Sequence, residues 1–149
     1  MDLRELYQEV ILDHNRRPRN RGRVADANLH AEGYNPLCGD MVALTLKTED
    51  GKVQDIAFDG QGCAISTASA SMMTEAVKGK SVSEAEEMFR AFQKMVTSPD
   101  LNGESEKLGE EIQALAGVKD HPVRIKCATL AWHALHEALA GHGDKVTTE

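Results

Sequence analysis

The period of the apolar residues changes twice along this chain, and those changes narrow the fold more than any other feature. From Asn28 to Phe58 the period is two: Val42, Leu44 and Leu46 share one face of a strand, and Ile56 and Phe58 share one face of the next. Asp50-Gly51 lies between them, a pair that accepts the two positive φ angles of a tight hairpin turn. The stretch "NLHAEGY" predicts a weaker third strand. Upstream, Leu3, Leu6, Tyr7, Val10 and Ile11 repeat at helical spacing, with Asp2 as N-cap, until "RRPRNRGR" breaks the pattern.

From Cys63 onward the pattern is helical again. "AISTASASMMTEAVKG" is rich in small residues and stops at Gly79. Ser83 and Glu86 have capping-box spacing and predict the start of "SEAEEMFRAFQKMVT". "SEKLGEEIQALAG" predicts a short helix, and Pro122 opens a long last one running to about Ala140. That helix carries the apolar stripe Cys127, Leu130, Ala131, Ala134, Leu135 and Ala138; the tail "GHGDKVTTE" reads as frayed. The expectation is a single α+β domain over residues 1–149, a small antiparallel three-stranded sheet with helices packed on one side.

Such a chain can bury one core without disulfides. Aromatic residues make up only 4% of its 149 residues against 41% hydrophobic, so that core is built from aliphatic side chains and alanine. The net charge of −7 and the lack of a dense basic stripe argue against nucleic acid as a partner. Arg16, Arg17, Arg19, Arg21 and Arg23 do cluster, but four acidic residues precede them; they form a solvated loop or a dock for an acidic protein. No apolar stretch reaches membrane-spanning length, and "MDLRELYQEVILDH" is too charged for a signal peptide. The expected location is the cytoplasm, where cysteines stay reduced as core fillers, reactive thiols or metal ligands.

The three cysteines fall at boundaries or near a helix start. Cys38 lies two residues before Asp40, and strand alternation would send both side chains the same way, with Gly39 freeing the backbone between them. Cys63 follows "DGQG" at a helix N-terminus, where free N–H groups favour a thiolate. Cys127 lies about one turn into the last helix. If the three converge, three thiolates and one carboxylate make a tetrahedral zinc site. The separations of 25 and 64 residues match no compact zinc finger, and each cysteine taken singly reads as buried filler. His133 and His136 lie three apart, but no acidic motif completes a metal site there. His14, His30 and His142 read as surface or loop residues, and His121, which precedes Pro122 ahead of Cys127, stays a candidate ligand.

With "NPLCGD", "FDGQGCAIS" and "RIKCATLAW" in this order, the chain resembles the IscU-like family of iron–sulfur assembly proteins over almost its full length. It departs from the IscU scaffolds at three places. Lys126, not histidine, precedes Cys127, and "LAGVKDHP" stands where the scaffolds carry their Leu-Pro-Pro-Val-Lys chaperone motif. Extra sequence around "TSPDLNGESEKLGEEIQ" adds to these departures, and together they resemble the SufU branch. The resemblance implies Zn2+ held by Cys38, Asp40, Cys63 and Cys127, with Arg124 as a supporting basic residue that would otherwise be a plain helix-surface arginine. It implies sulfur relayed from a SufS-like cysteine desulfurase toward a SufB-like scaffold. In it, Cys38 is the catalytic acceptor, displaced from zinc by a desulfurase histidine. Two other readings stay open: a scaffold building an iron–sulfur cluster on the same cysteines, and a non-catalytic zinc-stabilised interaction module.

Overall fold

In the computed structural model of the chain, residues 3–97, 108–141 and 145–147 are described. Helix α1 (Leu3–Arg16) leads into strands β1 (Leu29–Asn35), β2 (Asp40–Glu49) and β3 (Lys52–Gln61). Helices α2 (Ala64–Val77), α3 (Val82–Thr97) and α4 (Glu110–Gln113), a 3₁₀ segment (Ala114–Asp120) and helix α5 (Pro122–Leu139) follow, with a short β4 (Lys145–Thr147) after them. The strands β1, β2 and β3 form the expected antiparallel meander. At the β2–β3 hairpin Asp50 and Gly51 have φ of 55° and 76°, the two positive angles that this pair was expected to accept.

The sheet has one strand more than the alternation predicts. β4 pairs parallel with β1, from Glu32↔Lys145 to Tyr34↔Thr147, and gives the order β3-β2-β1-β4. Part of the tail expected to fray is therefore a strand. It uses the backbone groups along the free edge of β1, and three residues are too few to show a period.

Helix α5 is the centre of the helical layer, touching β1 and β2 on one side and α2, α3 and the 3₁₀ segment on the other. Every residue of its predicted stripe is buried, and Pro122 occupies its first turn. The helix lies close to the sheet because β1 has Gly33 beneath Leu130; a Cβ there would come within 2.9 Å of Leu130 Cδ1. Serines and alanines on α2 allow a similar approach: Ser69 Oγ donates to the Ala128 carbonyl at 2.6 Å and accepts from Trp132 Nε1 at 3.1 Å. Trp132, fully buried, stacks on Phe92 with centroids 4.5 Å apart. Truncating such an aromatic typically costs about 3–5 kcal/mol. These contacts fix α5 in rotation and height, and so decide where Cys127 points.

Two local expectations change. α3 starts at Val82, and its capping box is Ser81 with Glu84, not Ser83 with Glu86: the Glu84 N–H donates to Ser81 Oγ at 3.0 Å and the Ser81 N–H to Glu84 Oε1 at 3.4 Å. Glu86 is instead engaged across the fold by His136 Nδ1, at 2.8 Å. The predicted short helix is a single α turn continued as 3₁₀; its first residues, with most of the extra stretch between the second and third cysteines, lie outside the described residues, as do Asp2 and His142.

Candidate metal centre

Three chain segments meet at one end of the sheet. The first is the turn of residues 36–39 joining β1 to β2, held by a hydrogen bond from the Gly39 N–H to the Asn35 carbonyl at 2.9 Å. Gly39 has φ of 71°, a left-handed angle that suits glycine, and Cys38 beside it is exposed. The second is the passage from β3 into α2, and the third is the second turn of α5.

Asp40 opens β2 directly opposite Asn35 and is fully buried. A buried carboxylate needs partners. Its Oδ1 accepts the Cys63 N–H at 2.8 Å, and its Oδ2 accepts from Asn35 Nδ2 at 3.3 Å. This geometry requires a glycine at position 62, where a Cβ would lie 2.8 Å from Asp40 Oδ1 and 3.2 Å from Ser66 Oγ. At Gly60, which has φ of 131°, a Cβ would run into the Met41 carbonyl, so both glycines of "DGQG" serve close approach.

Cys63 is the N-cap of α2, and its half-buried Sγ accepts the Ser66 N–H at 3.4 Å. The same sulfur is 3.9 Å from Asp40 Oδ2. Cys127 is 3% exposed, and its Sγ lies 3.4 Å from Cys38 Sγ and 3.5 Å from Asn35 Nδ2. One ligand atom from each of Cys38, Asp40 and Cys127 falls within 4.8 Å of the others; Cys63 stands just outside that set, against the carboxylate. Cys38 reaches Asp40 from a turn rather than by alternation along a strand.

All these groups are neutral or would be anions. Burial, then the Cys38, Asp40 and Cys63 side chains, push the Cys127 thiol far above its ordinary range. Three sulfurs and a carboxylate brought this close suit a cation that prefers sulfur and accepts oxygen, and the donor set fits Zn2+ on that ground. Among the described residues no histidine belongs to the group. His121 is the exposed N-cap of α5, and Arg124 is exposed in its first turn. His133 packs edge-on to Phe89, its pKa lowered first by burial, and His136 stacks on the same ring.

His14 departs from expectation. It is fully buried, with Nδ1 2.8 Å from Ser71 Oγ and Nε2 2.7 Å from Glu111 Oε2. The signal was present: His14 falls three residues after Ile11, on the continuation of the α1 apolar stripe. His14, Glu75 and Glu111 form a second group with metal-ligand composition, but Arg19 already stands beside it. Its guanidinium bonds Asp13 at 2.7 Å and comes within 3.8 Å of Glu75. Asn35 is a further residue of the site that no sequence motif singles out, although period two along β1 places it inward with Ala31 and Gly33.

Comparison with known proteins gives a consistent result. Residues 6–128 match the family model described as the NifU-like N terminal domain. The iron-sulfur cluster assembly scaffold protein IscU of Streptococcus pyogenes serotype M1 is 48% identical over 92% of this chain and 84% of its own. The zinc-dependent sulfurtransferase SufU of Bacillus subtilis is 45% identical over 93% of this chain and 92% of its own. A crystal structure described as an iron-sulfur cluster assembly scaffold protein for the SUF system, from Fervidobacterium islandicum AW-1, superposes with a TM-score of 0.75. It is 32% identical and covers 93% of this chain and 99% of that one.

Proposed function

The chain belongs to the NifU-like N-terminal domain family, and on that basis we propose that it is a zinc-dependent sulfur carrier of iron–sulfur cluster assembly. It takes sulfur from a cysteine desulfurase and passes it on. Asp40, Cys63 and Cys127 hold the metal, and Cys38 completes the set at rest and acts as the acceptor. The observation that carries this reading is the difference in exposure. Cys38 is exposed on a four-residue turn, whereas Asp40 is fully buried and Cys127 is 3% exposed inside a helix. Cys38 can swing outward without unpacking the core; Cys127 cannot.

Bound zinc keeps its cysteine ligands deprotonated at neutral pH. The transfer step belongs to Cys38. Its thiolate attacks the outer sulfur of the desulfurase persulfide, the S–S bond of that persulfide breaks, and the desulfurase cysteine leaves as a thiolate while Cys38 becomes the persulfide. No net oxidation occurs. Leu37 and Val123, 61% and 51% exposed, give the surroundings of Cys38 and the start of α5 apolar area for a partner protein. Arg124 and Lys126 put positive charge on the same first turns of α5, where it would favour an approaching anionic sulfur.

The test is metal analysis of protein purified without oxygen, followed by mixing with a desulfurase and cysteine and mapping the added sulfur by peptide mass spectrometry. Near-stoichiometric zinc and a persulfide on Cys38 are expected, with Cys38→Ser failing both to accept sulfur and to stimulate the desulfurase. Full transfer by Cys38→Ser, or sulfur on Cys63 or Cys127 alone, overturns the assignment. A stable coloured cluster without zinc would favour the scaffold reading, for which the name of the streptococcal relative is the specific support.

A further inference from the structure

We propose that Asn35 is a positioning residue of this centre: its buried side-chain amide holds the Asp40 carboxylate and the Cys127 sulfur at their separation and offsets their charge. The proposal rests on the zinc-site reading above and goes beyond the four ligands.

Asn35 is the last residue of β1 and is fully buried. Its side-chain donor group is directed at the site, and its acceptors hold the turn. Nδ2 lies 3.3 Å from Asp40 Oδ2 and 3.5 Å from Cys127 Sγ, and an amide nitrogen has two donors to offer. Oδ1 accepts the Leu37 N–H at 3.3 Å, and the Asn35 backbone carbonyl accepts the Gly39 N–H. The network fixes the amide orientation, because Leu37 presents a donor and Asp40 an acceptor. One side chain thus joins the turn that carries Cys38 to two buried groups from β2 and α5.

The physical effect has two parts. Asp40 Oδ1 is held by the Cys63 N–H and Oδ2 by Asn35, so the carboxylate cannot rotate without losing a bond in a dry environment. The amide also places the positive ends of two N–H dipoles against atoms that carry negative charge once a metal binds, where hydrogen bonds are stronger. Groups that orient metal ligands in this way typically contribute about 10- to 100-fold in metal affinity.

Asparagine at this position has an obvious competing role, that of a turn residue accepting the Leu37 N–H. Two substitutions separate the roles. Asn35→Asp keeps the acceptor and the size, removes both donors and adds a negative charge, so its readout is the cobalt spectrum rather than zinc affinity. Asn35→Ser keeps a hydroxyl able to accept from Leu37, yet is too short to span to Asp40 and Cys127. Zinc affinity is read by competition with a chromogenic chelator, and the thiolate-to-metal charge-transfer band is read on the cobalt(II)-loaded proteins. Thermal melts without metal identify which variants are folded at the assay temperature.

Folded Asn35→Ser should bind zinc about 10- to 100-fold more weakly, and each folded variant should show a shifted or weakened cobalt band. Zinc affinity and cobalt spectrum equal to those of the unaltered chain in folded Asn35→Ser, or an equal cobalt spectrum in folded Asn35→Asp, would make Asn35 a turn residue and overturn the proposal. If the unaltered chain itself binds no zinc, the site reading fails first and takes this inference with it.

Discussion

Among the described residues two clusters have the composition of a metal site, and they differ in their charge balance. At the sheet end, Cys38, Asp40 and Cys127 gather with Cys63 beside them, and the groups nearest them are an amide and backbone N–H groups. Between α1, α2 and α4, His14, Glu75 and Glu111 gather as closely, but Arg19 bonds Asp13 and lies near Glu75, while both ring nitrogens of His14 have partners. The second cluster is complete as a protein network. The first gathers thiols and a carboxylate whose partners are an amide, a backbone N–H and one another. Residue type alone does not distinguish the two; the presence of an internal counter-charge does.

The strongest way to break this contrast is to alter the first cluster and find metal binding unaffected. Cys127→Ser should weaken zinc binding about a hundredfold to a thousandfold, roughly one ligand's share of the ~10–16 kcal/mol apparent for a four-ligand structural site. Competition with a chelator measures it, and unchanged affinity would mean that Cys127 is buried filler. The second cluster should respond in the opposite sense. His14→Ala removes two hydrogen bonds and a fully buried ring, so it should cost about 2–4 kcal/mol in urea unfolding while leaving zinc stoichiometry at the sheet end unchanged. Zinc loss in that variant, with the fold intact, would erase the distinction.

The smallest effect concerns Arg19. Its hydrogen bond lowers the Asp13 pKa below the ordinary value of 3.8. A carboxylate lowered by folding stabilises the folded state above its unfolded pKa and loses that contribution as pH falls through the folded value. Arg19→Met should therefore melt slightly lower than the unaltered chain at neutral pH, with the gap closing only below about pH 4. Thermal melts across that range would show it, and a gap independent of pH would assign the loss to packing of the Arg19 stem. The variant also tests the counter-charge directly. Without the guanidinium, a zinc titration should reveal a second, weaker binding event; its absence would mean that the satisfied His14 ring closes the cluster.

Sequence and structure agree where a local rule acts alone. Asp50-Gly51 must turn, Pro122 cannot sit deep in a helix, and alternation over Val42, Leu44 and Leu46 finds a core face whatever the partner. They part where two local solutions compete. Residues 81–86 offer two capping boxes, and Glu86 is drawn away by His136 on a helix fifty residues later. The convergence of Cys38 with Cys127 depends on Gly33 letting α5 down onto β1, a packing fact with no local signature. His14 and Asn35 were legible as inward positions by their periods, but a polar residue on an apolar face reveals its role only once its partners are placed. β4 left no trace, since its three residues pair through the backbone.

The capping role of Cys63 has one more consequence. Its sulfur accepts the Ser66 N–H, and its own N–H is given to Asp40, so two backbone amides near the start of α2 end on the side chains of two prospective ligands. The resonance frequency of an amide proton follows the electron density of its acceptor, and both signals should move as those side chains surrender charge to a cation. Zinc is colourless and diamagnetic. This helix nevertheless contains its own gauge, readable by ordinary nitrogen-15 correlation spectra without changing a single residue.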